Sequence, residues 1–362
     1  MPSTTLVGGA SQGLSHVLLR TVVALCAAIL FDSLSGIAAF GGPPGDKPAE
    51  SPVLRAGIIG LDTSHVVEFT KALNDPKAAD DLAGVRVVAA FPGGSEIPSS
   101  RDRVAKFTEQ VKGMGVEIVD SIPAVLDKVD VVLLESVDGR QHLEQARAVF
   151  KTGKPTFIDK PLAGSLADAL AIAELGETTK TPWFSSSALR FARDTQAVRG
   201  DAKIGAIVGC DAWGTCHLEP THPDLYWYGV HGVETLFTIM GTGCETVSRA
   251  HSEGTDLAVG VWKDGRIGTF RGIREGKEGY GATVFGKAGI SAAGHLESYR
   301  PLIVEIVKFF KTRQPPVRAK ETIEMMAFME AADESRRQGG APVKLADVLA
   351  KARGKTKTSP KR

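Results

Sequence analysis

Five short apolar runs, separated by amphipathic stretches, constrain this chain more than any other feature. They are Val53–Gly60, Val85–Ala90, Val116–Val119, Val129–Leu134 and Pro155–Ile158, each with at most one charged residue. A strand with one wet face alternates apolar and polar residues, whereas these runs lack that alternation and read as strands buried on both faces. The stretches between them carry helical signals. Ser64 can cap a helix through about Leu73, and Arg101–Lys112, Gly139–Phe150 and Leu166–Leu175 continue the pattern. Strand–helix alternation with right-handed crossovers predicts a doubly wound, Rossmann-like parallel sheet.

The pattern changes after about residue 200. Ile204–Ala212, Thr246–Ser252, Leu257–Trp262, Arg266–Arg271 and Ala282–Phe285 are strand-like, with glycine turns between them. Lys263-Asp264-Gly265 is a hairpin signal. Consecutive strands with tight turns predict a large, mostly antiparallel sheet, and Tyr299–Lys311 and Glu321–Gln338 add helices. The expected fold is therefore α/β, a Rossmann-like doubly wound parallel sheet plus an α+β domain. The boundaries read as a Rossmann-like nucleotide-binding domain over 51–187 and an α+β substrate and oligomerisation domain over 188–345.

The two ends read differently. Thr21–Phe31 is an eleven-residue uncharged run, preceded by Arg20 and followed by small residues up to Ala39. That is the layout of a secretory signal, too short to span a bilayer, which takes about 20 residues. Phe40–Pro52 has linker composition, so residues 1–50 are set aside as signal-like segment and linker. Export, to a periplasm, follows if the signal is genuine, and a cytoplasmic location follows if the start lies downstream. Residues 346–362 end in a basic, solvated tail, KARGKTKTSPKR.

Composition excludes several classes. Lys and Arg number 43 against 42 Asp and Glu in 362 residues, a net charge of +1. Such a chain has no long-range field to gather nucleic acid or an anionic membrane. Four cysteines do not make a disulfide framework.

The most specific stretch is Gly153-Lys-Pro-Thr-Phe-Ile-Asp159-Lys160-Pro161-Leu162. It resembles the strand-to-loop segment of the Gfo/Idh/MocA oxidoreductases, whose signature there is Glu-Lys-Pro. Other parts follow in the family's order: the βαβ start, His142 after the fourth strand, Arg190-Phe191, Ile204-Gly205, then Gly229-Val-His231-Gly-Val-Glu234. The resemblance runs from about residue 53 to 340. It implies NAD or NADP in the first domain, a sugar, polyol or related carbohydrate as substrate, and a homo-oligomer. It implies cofactor contacts from Gly60, Asp62, Thr63, Ser64, Ser95, Arg101, Asp159, Lys160 and Pro161. Lys160, His231 and Tyr228 are the implied catalytic residues. Hydride transfer from a CH–OH group needs a proton acceptor, and histidine titrates nearest neutral pH. An ammonium at the carboxyl end of a strand can polarise the reacting oxygen.

The departures are as informative. Gly60-Leu61-Asp62-Thr63-Ser64-His65 keeps only the first glycine of Gly-x-Gly-x-x-Gly. Asp62 puts a carboxylate where a pyrophosphate would approach, and like charges 4 Å apart cost about 4 kcal/mol at an effective dielectric of 20. The expected pose needs Asp62 to turn away. The second strand ends without an acidic residue for an NAD ribose. Ser95, Ser99, Ser100, Arg101 and Arg103 follow, which favours NADP slightly, although the same residues suit a solvated helix start. Trp227 stands where the family often has Asp, with Tyr226 or Tyr228 as substitute. Cys216, His217, Glu219, His222, Asp224, His231 and Glu234 are metal-ligating types, but their spacing fits no motif and no metal site is assigned. Two alternatives stay open on this scaffold: a metal-assisted hydrolase or lyase, and a non-catalytic sugar-binding protein.

Overall fold

The computed structural model describes residues 52–358, so the signal-like segment lies outside the described residues. Six strands form the first sheet: β1 (Leu54–Ile59), β2 (Val85–Phe91), β3 (Glu117–Ile118), β4 (Val131–Leu134), β5 (Thr156–Ile158) and β6 (Trp183–Ser185). All pair in parallel, in the order β3-β2-β1-β4-β5-β6. This is the doubly wound order, with its switch point between β1 and β4. Helices α1 (His65–Asn74), α2 (Pro98–Gly113), α3 (Ile122–Leu126), α4 (His142–Phe150) and α5 (Leu166–Thr179) connect the first five strands and lead into β6. Every residue of β4 is buried, as its unbroken Val-Val-Leu-Leu run requires. Strand β6 has only three residues and was not anticipated from the sequence.

The second sheet has seven strands. They are β7 (Ile207–Thr215), β8 (Cys244–His251), β9 (Thr255–Trp262), β10 (Ile267–Ile273), β11 (Tyr280–Gly286), β12 (Ile290–Ala293) and β13 (Val343–Lys344), in the order β12-β11-β7-β10-β9-β8-β13. The sheet is antiparallel except where β10 runs parallel to β7. The expected Lys263–Gly265 turn joins β9 to β10, with Gly265 at φ +82°. Helices α6 (Arg193–Ala197), α7 (Asp224–Trp227), α8 (Gly229–Met240), α9 (Arg300–Thr312), α10 (Ala319–Arg337) and α11 (Leu345–Thr358) complete the chain.

Helix α8 covers the inner face of the second sheet. Gly232 allows the close approach, since a Cβ there would meet the Phe270 ring at 2.2 Å. Helix α9 returns to the first sheet: Leu302, Ile306 and Phe309 repeat at helical spacing and pack with Ile58 and Val87. Helix α5 packs against α10 and α11, so one helical layer serves both sheets. The expected basic tail is corrected in part. Helix α11 runs to Thr358 because Leu345, Val348 and Ala352, three and four apart, bury one face.

Candidate active site

The site is built from the carboxyl ends of β1, β4 and β5. Gly60 ends β1 at φ +91°, and a Cβ there would lie 2.5 Å from the Ser136 hydroxyl, so only glycine fits between the β1 and β4 loops. Thr63 and Ser64 follow at the start of α1, and Lys160 and Pro161 follow β5. His142 ties the β5 loop to the β4 loop. Its Nδ1 lies 3.1 Å from the Leu162 carbonyl and its Nε2 2.7 Å from that of Ser136.

These loops face the second domain across a cavity of about 340 Å³. Thr63, Ser64, Lys160, Pro161, Tyr228 and His231 all line it, together with His65, Arg103, Ser187, Trp227, Tyr280 and Tyr299. Its volume is at the lower end of the roughly 300–1,000 Å³ typical of small-molecule sites. His231 sits in the first turn of α8. Its Nδ1 is 2.7 Å from the Ser187 hydroxyl, which also accepts the Leu189 N–H at 3.2 Å. In the tautomer whose Nδ1–H donates to Ser187, Nε2 is left as a proton acceptor. Burial, then the Lys160 ammonium and His65, hold the His231 imidazole well below its usual range. Tyr228 and Tyr280 flank the ring, with centroids 5.9 and 5.6 Å away.

Beneath the cavity lies a buried group of His65, Glu135 and Asp159. His65 Nδ1 is 2.9 Å from Asp159 Oδ2 and 4.0 Å from Glu135 Oε2. Burial and the neighbouring Asp159 push the Glu135 carboxyl well up. Burial acts on Asp159 too, but His65 and Lys160 outweigh it and hold that carboxyl at about 2.

Other expected residues sit elsewhere. Asp62 is fully buried under the turn, where its Oδ2 accepts the Ser100 hydroxyl at 2.7 Å and its Oδ1 the Val137 N–H at 2.9 Å. Arg101 is exposed and pairs with Asp102, and Ser95 does not line the cavity; the α2 arginine that does is Arg103. Tyr226 is buried, its hydroxyl donating to the Met326 carbonyl, so of the two tyrosines only Tyr228 reaches the cavity.

The sequence constellation of metal-ligating types is dispersed. His217 pairs with Glu278, Asp224 with Arg249, and Glu234 with Arg190, while Cys216 is a buried thiol. Sequence reasoning missed Glu135, Ser187, Tyr280 and Tyr299. Glu135 alone carried a signal, a carboxylate directly after a fully apolar strand.

Residues 54–185 match the family model described as an oxidoreductase family with an NAD-binding Rossmann fold, GFO_IDH_MocA. The first domain belongs to the Gfo/Idh/MocA family. Solved structures share the two-domain fold over most of this chain. A Thermotoga maritima protein described as a probable dehydrogenase superposes with a TM-score of 0.65 at 23% identity, over 82% of this chain and 100% of that one. Scyllo-inositol dehydrogenase of Lactobacillus casei, with bound NAD(H) and scyllo-inositol, gives 0.66 at 14% identity, over 81% and 99%. Myo-inositol dehydrogenase of the same organism, with NAD(H) and myo-inositol, gives 0.65 at 15%, over 81% and 96%. No curated protein matches the sequence.

The turn after β1 fits a dinucleotide phosphate in this Gfo/Idh/MocA domain. Gly60 keeps the tight turn, the Asp62 carboxylate is directed inward, and the Thr63 and Ser64 side chains line the cavity at the N-terminus of the ten-residue α1. One obstacle stands along the carboxyl edge. Ile97, Val137 and Trp227 form a small apolar cluster linking the loops after β2 and β4 to α7.

Proposed function

We propose that the protein is an NAD(P)-dependent oxidoreductase acting on a sugar, polyol or related carbohydrate. The observation that carries this is the convergence of Lys160 and His231 on one cavity at the carboxyl edge of the first sheet. When bound, a nicotinamide supplies the hydride acceptor or donor. The chain's own residues do the rest. The Lys160 ammonium polarises the reacting oxygen, and His231 Nε2 takes the hydroxyl proton. Ser187 holds the imidazole tautomer, and Tyr228 supports the proton-transfer pair that Asp completes elsewhere in the family. Tyr280 and Tyr299 supply aromatic faces on which sugar C–H groups pack.

Cofactor contacts fall to Gly60, Thr63, Ser64, Lys160 and Pro161; Asp62 holds the turn from beneath, and the expected contact from Asp159 is set aside because that carboxylate is buried below the cavity. NADP is preferred over NAD, because β2 ends at Phe91 and Pro92-Gly93-Gly94 follow with no carboxylate for the ribose, and Arg103 reaches the cavity. The protein acts as a homo-oligomer through the outer face of the second sheet, where Trp213, Val261 and Ile267 are exposed. It is exported if residues 1–50 act as a signal. Among the described residues, no helix is long and apolar enough to cross a membrane.

Mass spectrometry of ligands released from the native protein, with separate NAD and NADP titrations, tests the reading. Bound or titratable nicotinamide nucleotide supports it. A thermal shift with sugars alone, and none with either nucleotide, overturns it in favour of a sugar-binding protein.

A further inference from the structure

We propose that His65, Glu135 and Asp159 form a divalent transition-metal site at the floor of the cavity. Three neighbouring strands bring them together. His65 opens α1 after β1, Glu135 follows β4, and Asp159 follows β5, in a sheet where β1, β4 and β5 are adjacent. Backbone bonds fix the two carboxylates at the strand ends: the Glu135 N–H donates to the Ile59 carbonyl and the Asp159 N–H to the Leu134 carbonyl, both at 2.8 Å.

Five buried polar atoms of these three residues lack a well-formed hydrogen bond: His65 Nδ1, both Glu135 oxygens and both Asp159 oxygens. They are half of the ten such buried side-chain atoms among the described residues. Glu135 is 0% and Asp159 1% exposed. Buried carboxylates are retained when they are paired or bind a cation, and here the Lys160 ammonium flanks both of them. His65 and Asp159 lie 2.9 Å apart, at ion-pair distance, whereas neither Glu135 oxygen has any hydrogen-bond partner.

An ion accounts for all three side chains at once. Ligand atoms about 2.0–2.2 Å from one ion lie roughly 3–4 Å from each other. One atom from each of the three residues falls within 4.8 Å of the others, and two of the separations are 2.9 and 4.0 Å. A neutral imidazole with two carboxylates suits zinc or manganese, whereas magnesium and calcium favour all-oxygen sets. Three protein ligands leave positions for water or a substrate hydroxyl, and His65 is the ligand that borders the cavity.

The site does not depend on the oxidoreductase reading. The test uses the full chain, stripped with a chelator and dialysed, then titrated with Zn2+, Mn2+ or Co2+. Thermal melting and the Co2+ visible spectrum are the readouts. One equivalent should bind, raise the melting temperature and give a spectrum of nitrogen and oxygen ligation. Glu135→Gln and His65→Gln should each weaken binding at least about tenfold. His217→Ala, at the exposed His217–Glu278 pair, should leave it unchanged. Two variants at different ligands keep the decision open to measurement if one fails to fold. The proposal is overturned if no ion binds at millimolar metal. It is equally overturned if binding survives both ligand variants, or is lost in His217→Ala. Any of these outcomes leaves the nicotinamide reading to be decided by its own titrations.

Discussion

Asp62 Oδ1 accepts the backbone N–H of Val137 at 2.9 Å, joining two loops 75 residues apart. The carboxylate therefore acts as a brace between the turn after β1 and the loop after β4. Its other oxygen, held by Ser100, extends the brace to α2. Asp62→Ala leaves the Val137 N–H and the Ser100 hydroxyl without their partner. The expected loss is about 1–3 kcal/mol of stability, read as a fall in the denaturant midpoint at unchanged slope. A variant as stable as the parent would refute the brace.

The same residue gives a pH dependence of known sign. Burial raises the Asp62 carboxyl above its ordinary 3.8, with the Ser100 and Val137 bonds opposing only part of the shift. Between 3.8 and the raised value the folded state holds a proton that the unfolded state has lost. Asp62 thus lowers stability as pH rises through that window, with no further change above it. Asp62→Asn keeps an acceptor for Val137 and removes the ionisation. Its stability curve should be flatter across that window in denaturation at a series of pH values.

His231 is the residue on which turnover should depend. His231→Ala should lower kcat about 10²–10⁴-fold, the usual worth of positioned proton transfer. Because burial, Lys160 and His65 depress its imidazole, the acid limb of the kcat profile should lie well below the ordinary histidine value of 6.5. Ser187→Ala should lower kcat more than it raises KM, since Ser187 orients the ring. Full activity in His231→Ala would remove the assignment.

Arg103 and Arg101 should behave differently toward NADP. Arg103 lines the cavity, whereas Arg101 is exposed and engaged with Asp102. Arg103→Ala should weaken NADP roughly tenfold, the scale of one charged hydrogen bond, and Arg101→Ala should leave it unaltered. A dinucleotide running from the end of β1 toward the end of β2 must part the contact of Ile97 and Val137 with Trp227. Nucleotide titration should therefore change tryptophan fluorescence in the parent, and Trp227→Phe should abolish most of that change.

Val261 and Ile267 stand opposite each other on β9 and β10, 39% and 53% exposed. Ile267→Glu should place a charge in the centre of the proposed oligomer face. Sedimentation velocity should then show smaller species than the parent at equal concentration. An unchanged distribution would move the interface elsewhere.

Much of the fold was legible because burial on both faces leaves a mark in the residues themselves. The apolar runs of β1, β2, β4 and β5 announced a parallel sheet, and Lys263-Asp264-Gly265 announced the β9–β10 hairpin. Short elements left no such mark. Strands β6 and β13 have three and two residues, too few to show a period, and α8 is buried nearly all round, so it lacks the polar face by which a helix is recognised. Helix α11 was hidden by Lys351, Lys355 and Lys357, which give the segment the composition of a solvated tail although Leu345, Val348 and Ala352 are buried.

The architecture was legible in the residues alone, as were the two segments that meet at the cavity, the Asp159-Lys160-Pro161 loop and the start of α8 around His231. Those are local patterns, carried by neighbouring residues. Where Asp62 points, which arginine of α2 reaches the cavity, and that Glu135 joins His65 and Asp159 emerge only in the folded chain. These outcomes depend on residues 24 to 94 positions apart along the chain, brought together by adjacent strands of one sheet. No local period encodes such a meeting. It exists only once crossovers have placed β1, β4 and β5 side by side and burial has removed the water that would otherwise satisfy each group separately.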